Sequence, residues 1–371
     1  MSKHTISIGR ILGIPIGVDP SWFLIFALLT WMLAASYFPV EFAGWPTAQY
    51  WVVGAITSLL LFGSVILHEL GHSVVALRYK IPVKSITLFV FGGVAQIEAE
   101  PPSAASEFWI AIAGPVVSFG LAGVFALLQP SVGRAGPVLA ICRYLAYING
   151  TLGLFNLVPG FPLDGGRVLR AVVWGLTKSL RRATLIAGTV GRVIAFSMIL
   201  IGVWFILAGT LANGIWIAFI GWFLDSAAVS QLQAQRVQGL LSGHRVAQAM
   251  RGSCVTVPSD SSVQSLVDHP SLGTGQRCLV VQRGQETVGL LTPHNIHSIP
   301  KDQWLTTTAA QIMIPMDRVR HLQPSAPLTS AMQAMDRDGV NQLPVFDDGR
   351  MVGILSREDL ITYLRTIEEL S

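Results

Sequence analysis

The sequence predicts a polytopic α-helical membrane domain of about six transmembrane helices with a small β-hairpin or sheet, followed by an α/β soluble domain of two repeats. Three observations carry this expectation. Of 371 residues, 51% are hydrophobic and only 12% are charged, about half the charge of an ordinary soluble domain. The charge is also unevenly placed: residues 1–235 hold 13 Lys+Arg and 8 Asp+Glu, and residues 236–371 hold 12 and 13. Finally, the first part contains apolar runs of the ~20 residues needed to cross a bilayer. Three classes are excluded. Too little of the chain is charged for a disordered polyelectrolyte. Three Cys cannot staple a disulfide scaffold. A net charge of +4 without a clustered basic patch is no nucleic-acid interface.

The stretch before Trp22 is punctuated by Gly and Pro and has no A-x-A site, so no cleavable signal peptide is expected. The spans follow as Trp22 to Tyr37, Trp51 to Leu77, Phe108 to Leu128, Val138 to Val158, Ile194 to Ala212 and Ile215 to Val229. Asn213-Gly214 reads as the turn between the last two, and Arg192, just before the fifth, reads as a snorkelling cation. Basic residues set the topology. Lys3 and Arg10 precede span one. Arg78, Lys80 and Lys84 follow span two. Arg167, Arg170, Lys178, Arg181 and Arg182 follow span four, and Arg236 follows span six. The opposite loops carry only Arg134. The expectation is a multi-pass protein of the cell membrane with both termini in the cytosol. Residues 86–97, β-rich around Gly92-Gly93, read as a hairpin or re-entrant sheet whose free edge offers a place for an extended substrate strand.

Span two contains His68-Glu69-Leu70-Gly71-His72, its only ionisable residues. Charged groups at mid-membrane cost about 2.5–3.5 kcal/mol each on insertion scales, so they are usually functional. On a helix His68 and His72 are i and i+4 and project from one face. That is the spacing for two neutral nitrogens on zinc, with Glu69 beside them as general base. A catalytic zinc takes a third protein ligand. Asp164 is the only carboxylate in Phe155-Asn156-Leu157-Val158-Pro159-Gly160-Phe161-Pro162-Leu163-Asp164-Gly165-Gly166-Arg167, where two Pro and three Gly break the helix. Such backbone is tolerated at membrane depth when it is buried in protein or lines a wet cavity. Asp164 is also placed to cap the following helix, and the two roles are not exclusive. Gly114-Pro115 reads as a packing or kink site.

H-E-L-G-H on one span and F-N-L-V-P-G-F-P-L-D-G-G-R on a later one resemble the site-2 protease family of intramembrane zinc metalloproteases, and the likeness covers the first 235 residues. The resemblance implies one zinc per chain held by His68, His72 and Asp164. It makes Glu69 the base and gives Asn156 substrate positioning or oxyanion stabilisation. It implies regulated intramembrane proteolysis: cutting of a transmembrane or membrane-anchored substrate, such as an anti-sigma factor, on the cytosolic side of the bilayer.

The tail repeats internally. Val246-Ala247-Gln248-Ala249-Met250 echoes Ala309-Ala310-Gln311-Ile312-Met313, and Val288-Gly289-Leu290-Leu291-Thr292 echoes Val352-Gly353-Ile354-Leu355-Ser356. Each copy reads as helix, strand, helix, strand, strand, helix, with Asp347-Asp348-Gly349-Arg350 as a hairpin turn. G-V-N-Q-L-P-V-F-D-D-G-R-M-V-G-I-L-S-R-E-D-L resembles a cystathionine-β-synthase (CBS) domain, which places a tandem CBS module at 236–371 with repeats at 246–300 and 309–367. That resemblance implies adenine nucleotide (ATP, ADP or AMP) in the cleft, with Ser356 and Asp359 on the ribose, or a homodimer formed through the CBS domains. The first copy has Asn295 where Asp is expected. His244, His269, His294, His297 and His321 lack ligand spacing, and Cys142, Cys254 and Cys278 read as packing residues in a reducing cytosol. Two other classes stay open at this point. A CBS-regulated metal or ion transporter is opposed by Glu69 between the histidines and by the lack of an inverted repeat. A catalytically inactive membrane scaffold is opposed by the intact zinc positions.

Overall fold

A computed structural model of the chain describes residues 5–90, 92–97, 99–131, 136–252, 255–268, 279–284, 286–348 and 350–370. Lys3, Phe91, Arg134, Cys254, His269, Cys278, Gly349 and the side chain of His294 lie outside the described residues. The chain divides into two compact units, Met1–Gln233 and Ala234–Ser371.

The first unit opens with β1 (Ile6–Ile11) and β2 (Ile14–Val18). Leu12 and Gly13 between them have φ of 51° and 81°, the double positive φ of a tight hairpin. β2 runs parallel to β3 (Val83–Phe89), which pairs antiparallel with β4 (Gly92–Ile97), so the sheet order is β1-β2-β3-β4. The hairpin expected at 86–97 is therefore half of a sheet. The other half comes from the Gly- and Pro-punctuated N-terminus, where the sequence suggested no element. Asp19 N–H donates to Leu88 O and Val90 N–H to Ser21 Oγ, tying the β3 end to the start of the first helix.

Among the described residues, six helices are long and apolar enough to cross a membrane. They are α1 (Ser21–Glu41, with a π turn at Leu33–Tyr37), α2 (Thr47–Arg78), α3 (Ala104–Leu128), α4 (Pro137–Asn156), α6 (Leu180–Leu207) and α7 (Leu211–Leu241). Each overlaps an expected span. Between α4 and α6 lies a shorter helix, α5 (Asp164–Thr177), whose Gly165, Gly166, Arg170 and Ala171 are buried. The sheet packs on α2 through Ile14, Leu70 and Ile86. It thus lies along the helix that carries the His-Glu-His cluster.

Two expectations need correction. The turn between the last two spans is not at Asn213-Gly214, which lie inside α7. It falls at Gly209, whose φ of 89° is the left-handed conformation that ends a helix, with Thr210 N–H donating to Phe205 O. Arg192 does not precede a span. It lies within α6 and pairs with Asp225 of α7 at 3.0 Å, because α6 starts 14 residues earlier than its apolar run suggested. Arg167 and Arg170 follow the fourth span as expected and lie on α5, where Arg170 is buried.

In the second unit the repeats interlock. The first holds α8 (Val246–Ala249), β5 (Val255–Pro258), α9 (Val263–Val267), β6 (Leu279–Arg283), β7 (Glu286–Leu291) and α10 (Pro293–His297). The second holds α11 (Ala309–Ile312), β8 (Ile314–Pro315), α12 (Leu328–Asp338), β9 (Gln342–Asp347), β10 (Arg350–Ser356) and α13 (Arg357–Leu370). Each opening helix docks on the opposite repeat: Val246 N–H donates to Ala326 O, and Ala309 N–H donates to Ser261 O. In the same sense β8 pairs with β7, and Arg251 bridges to Ile354 of β10. Val280 and Leu290 of one repeat join Met351 and Ile354 of the other in a shared apolar cluster.

The segment between α4 and α5 is seated on α6. A Cβ on Gly191 would stand 2.4 Å from Phe161 O and 2.7 Å from Phe161 N, backbone atoms that cannot swing aside. Gly191→Ala is expected to cost about 1–3 kcal/mol by overpacking. In detergent this would be read as a thermal midpoint several degrees lower. An unchanged midpoint would contradict the seating.

Candidate metal centre

Three helices and one loop bring His68, His72 and Asp164 together. α2 supplies both histidines, which are 4% and 3% exposed. The loop after α4 turns back so that Asp164 becomes the first residue of α5, where the helix N-terminus also favours a carboxylate. The donors form a nearly equilateral triangle. His68 Nε2 lies 3.1 Å from Asp164 Oδ2, His72 Nε2 lies 3.2 Å from it, and the two Nε2 atoms are 3.2 Å apart. A tetrahedral zinc with bonds of about 2.0–2.1 Å holds its donors roughly 3.3–3.4 Å apart. The triangle fits one such ion.

The hydrogen bonds behind the imidazoles strengthen this reading. His72 Nδ1 lies 2.7 Å from Ile110 O. A carbonyl only accepts, so Nδ1 carries the proton and the neutral ring presents a lone pair at Nε2. His68 Nδ1 lies 2.8 Å from Ser118 Oγ. Two ring nitrogens and a carboxylate oxygen therefore converge. A shared proton joins two such atoms, whereas a cation joins all three. Nδ1 partners of this kind orient metal-bound imidazoles and are worth about 10–100-fold in affinity. Burial opposes charge on Asp164, but the two imidazoles outweigh it and hold the carboxyl well below the usual carboxylate range. Burial pushes the Arg167 guanidinium down, against the attraction of Asp164 and Glu107.

Glu69 sits beside the triangle on α2. Ala95 N–H of β4 donates to Glu69 Oε2 at 3.2 Å, so this N–H faces the side chain and the outer edge of the sheet. Asn156 is the last residue of α4, half-buried, and no hydrogen bond joins it to the triangle among the described residues.

Ile110, Ser118 and Gly114 also belong to the site and are not among the residues expected there from sequence. Gly114 is more than a packing or kink position. A Cβ there would stand 2.2 Å from His72 Nε2 and 2.6 Å from His68 Nε2. A signal existed: Ile110, Gly114 and Ser118 are spaced 4 and 4 along α3, one face of a helix.

In the second unit Asp359 is buried. Its Oδ2 accepts from Ser356 N–H (2.9 Å) and Ser356 Oγ (2.5 Å), and its Oδ1 pairs with Arg251. The first repeat has the same turn in neutral form: Asn295 Oδ1 accepts from Thr292 N–H (3.0 Å) and Thr292 Oγ1 (2.6 Å). Ser356 and Asp359 thus cap α13, whatever else they bind.

The closeness of Gly114 to both Nε2 atoms makes it a sharp test. Gly114→Ala is expected to lower bound zinc far below one per chain, by elemental analysis, with helix content intact by circular dichroism. A full zinc complement in that variant would contradict the arrangement.

The peptidase family M50 profile matches residues 56–133 and 121–201, and the CBS domain profile matches residues 309–366. Over 363 residues the chain is 35% identical to "Putative zinc metalloprotease Rip3" of Mycobacterium tuberculosis, covering 96% of this chain and 92% of that one. It is 27% identical over 373 residues to "Zinc metalloprotease MJ0392" of Methanocaldococcus jannaschii, covering 99% and 98%. A solved site-2 protease from Methanocaldococcus jannaschii is 30% identical, spans 62% of this chain and 95% of its own, and superposes with a TM-score of 0.43. The chain belongs to peptidase family M50, the site-2 proteases, and is a multi-pass intramembrane zinc metalloprotease that also carries a CBS module.

Proposed function

We propose that the first unit, taken as residues 1–235, cleaves a transmembrane or membrane-anchored protein on the cytosolic side of the bilayer, with both termini of the chain in the cytosol. The observation that carries this reading is the triangle of His68, His72 and Asp164 with Glu69 beside it, built on a helix long enough to span the membrane. In this reading His68, His72 and Asp164 hold one zinc ion. Bound zinc supplies Lewis acidity and makes a water nucleophilic near neutral pH.

The chain's own groups do the rest. Glu69 accepts the proton of the attacking water and passes it to the leaving amine as the peptide C–N bond breaks. The Ala95 N–H orients the Glu69 carboxylate through Oε2. The substrate must present extended backbone, because helical backbone is already hydrogen-bonded to itself. β4 is an edge strand with Glu69 at its side. A substrate strand added there would pass the base. Asn156, at the mouth of the loop that leads to Asp164, binds substrate backbone or the developing oxyanion. The substrate class suggested by the family resemblance is a membrane-anchored regulator such as an anti-sigma factor.

The second unit, taken as 236–371 with repeats at 246–300 and 309–367, serves as the regulatory part. Adenine nucleotide bound at Ser356 and Asp359, or pairing of two copies through the CBS domains, is its proposed input. Nucleotide on the Asp359 carboxylate would displace Arg251 from it.

Two measurements test these readings. With a single-span substrate in liposomes, Glu69→Gln is expected to lower kcat at least about a hundredfold while zinc stays bound. Undiminished cleavage would remove the assignment. In equilibrium titrations Asp359→Ala is expected to weaken ATP or AMP binding at least tenfold. Binding equal to that of the parent would remove Asp359 from the nucleotide site.

A further inference from the structure

Apart from α2, the zinc site is built by α3 and α5. α3 supplies Ile110 O and Ser118 Oγ behind the two imidazoles, and α5 supplies Asp164. The triangle closes only if these two helices keep a fixed relation to each other. One contact between them is charged and buried. Arg170 of α5 donates from Nε to Glu107 Oε1 of α3 at 2.5 Å, and its second nitrogen reaches the same oxygen. Glu107 is 0% exposed and Arg170 is 5% exposed. Glu107 Oε2 has no hydrogen bond among the described residues, so the carboxylate depends on Arg170, with a smaller attraction from Arg167.

The placement of the pair is informative. Glu107, Ile110, Gly114 and Ser118 are i, i+3, i+7 and i+11 on α3, and all are buried. Glu107 is therefore one turn from the carbonyl that fixes the His72 ring. On the other side, the Arg170 guanidinium lies over the Phe161 ring, 5.5 Å from its centroid. Phe161 is in the loop that delivers Asp164. Arg170 thus grips both the helix behind the histidines and the loop behind the aspartate. A buried ion pair seldom out-stabilises a well-packed apolar pair. What it adds is direction: the planar guanidinium fork fixes orientation as well as distance.

We propose that Glu107 and Arg170 form the positioning pair of the metal centre, setting Asp164 Oδ2 against the two histidine nitrogens and so controlling zinc retention and turnover. This rests on the reading that the triangle holds zinc. Neither residue touches substrate or metal.

The test uses the full-length holoenzyme in nanodiscs, with zinc release into a chelator, kcat and KM on a single-span substrate, and thermal unfolding. Glu107→Gln is expected to speed zinc release about tenfold and lower kcat about tenfold, with KM within twofold. Arg170→Lys keeps the charge but loses the fork, and is expected to shift both readouts about threefold in the same direction. It carries the test if Glu107→Gln does not fold. In an Asp164→Asn background Glu107→Gln is expected to change zinc release no further, since it acts through Asp164. Folded variants that release zinc as the parent does, or an undiminished effect in the Asp164→Asn background, would overturn the proposal. A His72→Ala control separates the two levels. If it loses zinc while Glu107→Gln keeps it, only the positioning role fails; if it keeps zinc, the site itself fails and takes the proposal with it.

Discussion

Three potential metal ligands facing one another in a buried space form the constraint around which the first unit is organised. His68 Nε2, His72 Nε2 and Asp164 Oδ2 stand 3.1–3.2 Å apart, a spacing at which a proton joins two of them and a single cation joins all three. Each neighbouring element holds that arrangement. α2 sets the two rings at i and i+4. α3 fixes their outer nitrogens and, at Gly114, withholds a side chain that would fill the space they need. The Pro- and Gly-rich loop folds back onto Gly191 and brings Asp164 to the head of α5. The sheet lies along the same helix and gives Glu69 its backbone partner. Chemistry that needs a rigid, partly dry site thus rests on close contact between helices more than on the apolar outer surface.

The second unit shows the same economy in another form. Its repeats exchange opening helices, so neither is complete alone. The repeats are not equivalent, and one difference between them is a charge. Arg251 and Asp359 form an ion pair, whereas the equivalent Ile314 and Asn295 are uncharged. A module of two like halves therefore presents one charged turn and one neutral turn. A ligand or partner that depends on a carboxylate distinguishes between them.

Much of this was legible in the sequence, for a physical reason. Ionisable residues are costly inside an apolar span, so His68, Glu69 and His72 stand out, and Asp164 stands out in a segment that cannot stay helical. Long apolar runs and the paired tail motifs were equally plain. What was hidden depends on contacts between distant residues. Glu107 and Arg170 are 63 residues apart, and Arg170, like Arg167, reads from sequence as a topology-setting cation because nothing local marks it as buried. Ile110 acts through its carbonyl, which every residue has. The β1–β2 hairpin escaped because its partner strand lies beyond two helices. The last interhelical turn is misplaced by the sequence because Asn-Gly is a strong local turn signal, whereas the left-handed residue that ends α6 is Gly209.

X-ray absorption at the zinc edge of the purified protein interrogates the metal centre most directly. The expected result is one zinc per chain, four-coordinate, with nitrogen and oxygen donors at about 2.0–2.1 Å and the outer scattering of two imidazoles. A sulfur shell near about 2.3 Å, or zinc without imidazole scattering, would contradict it.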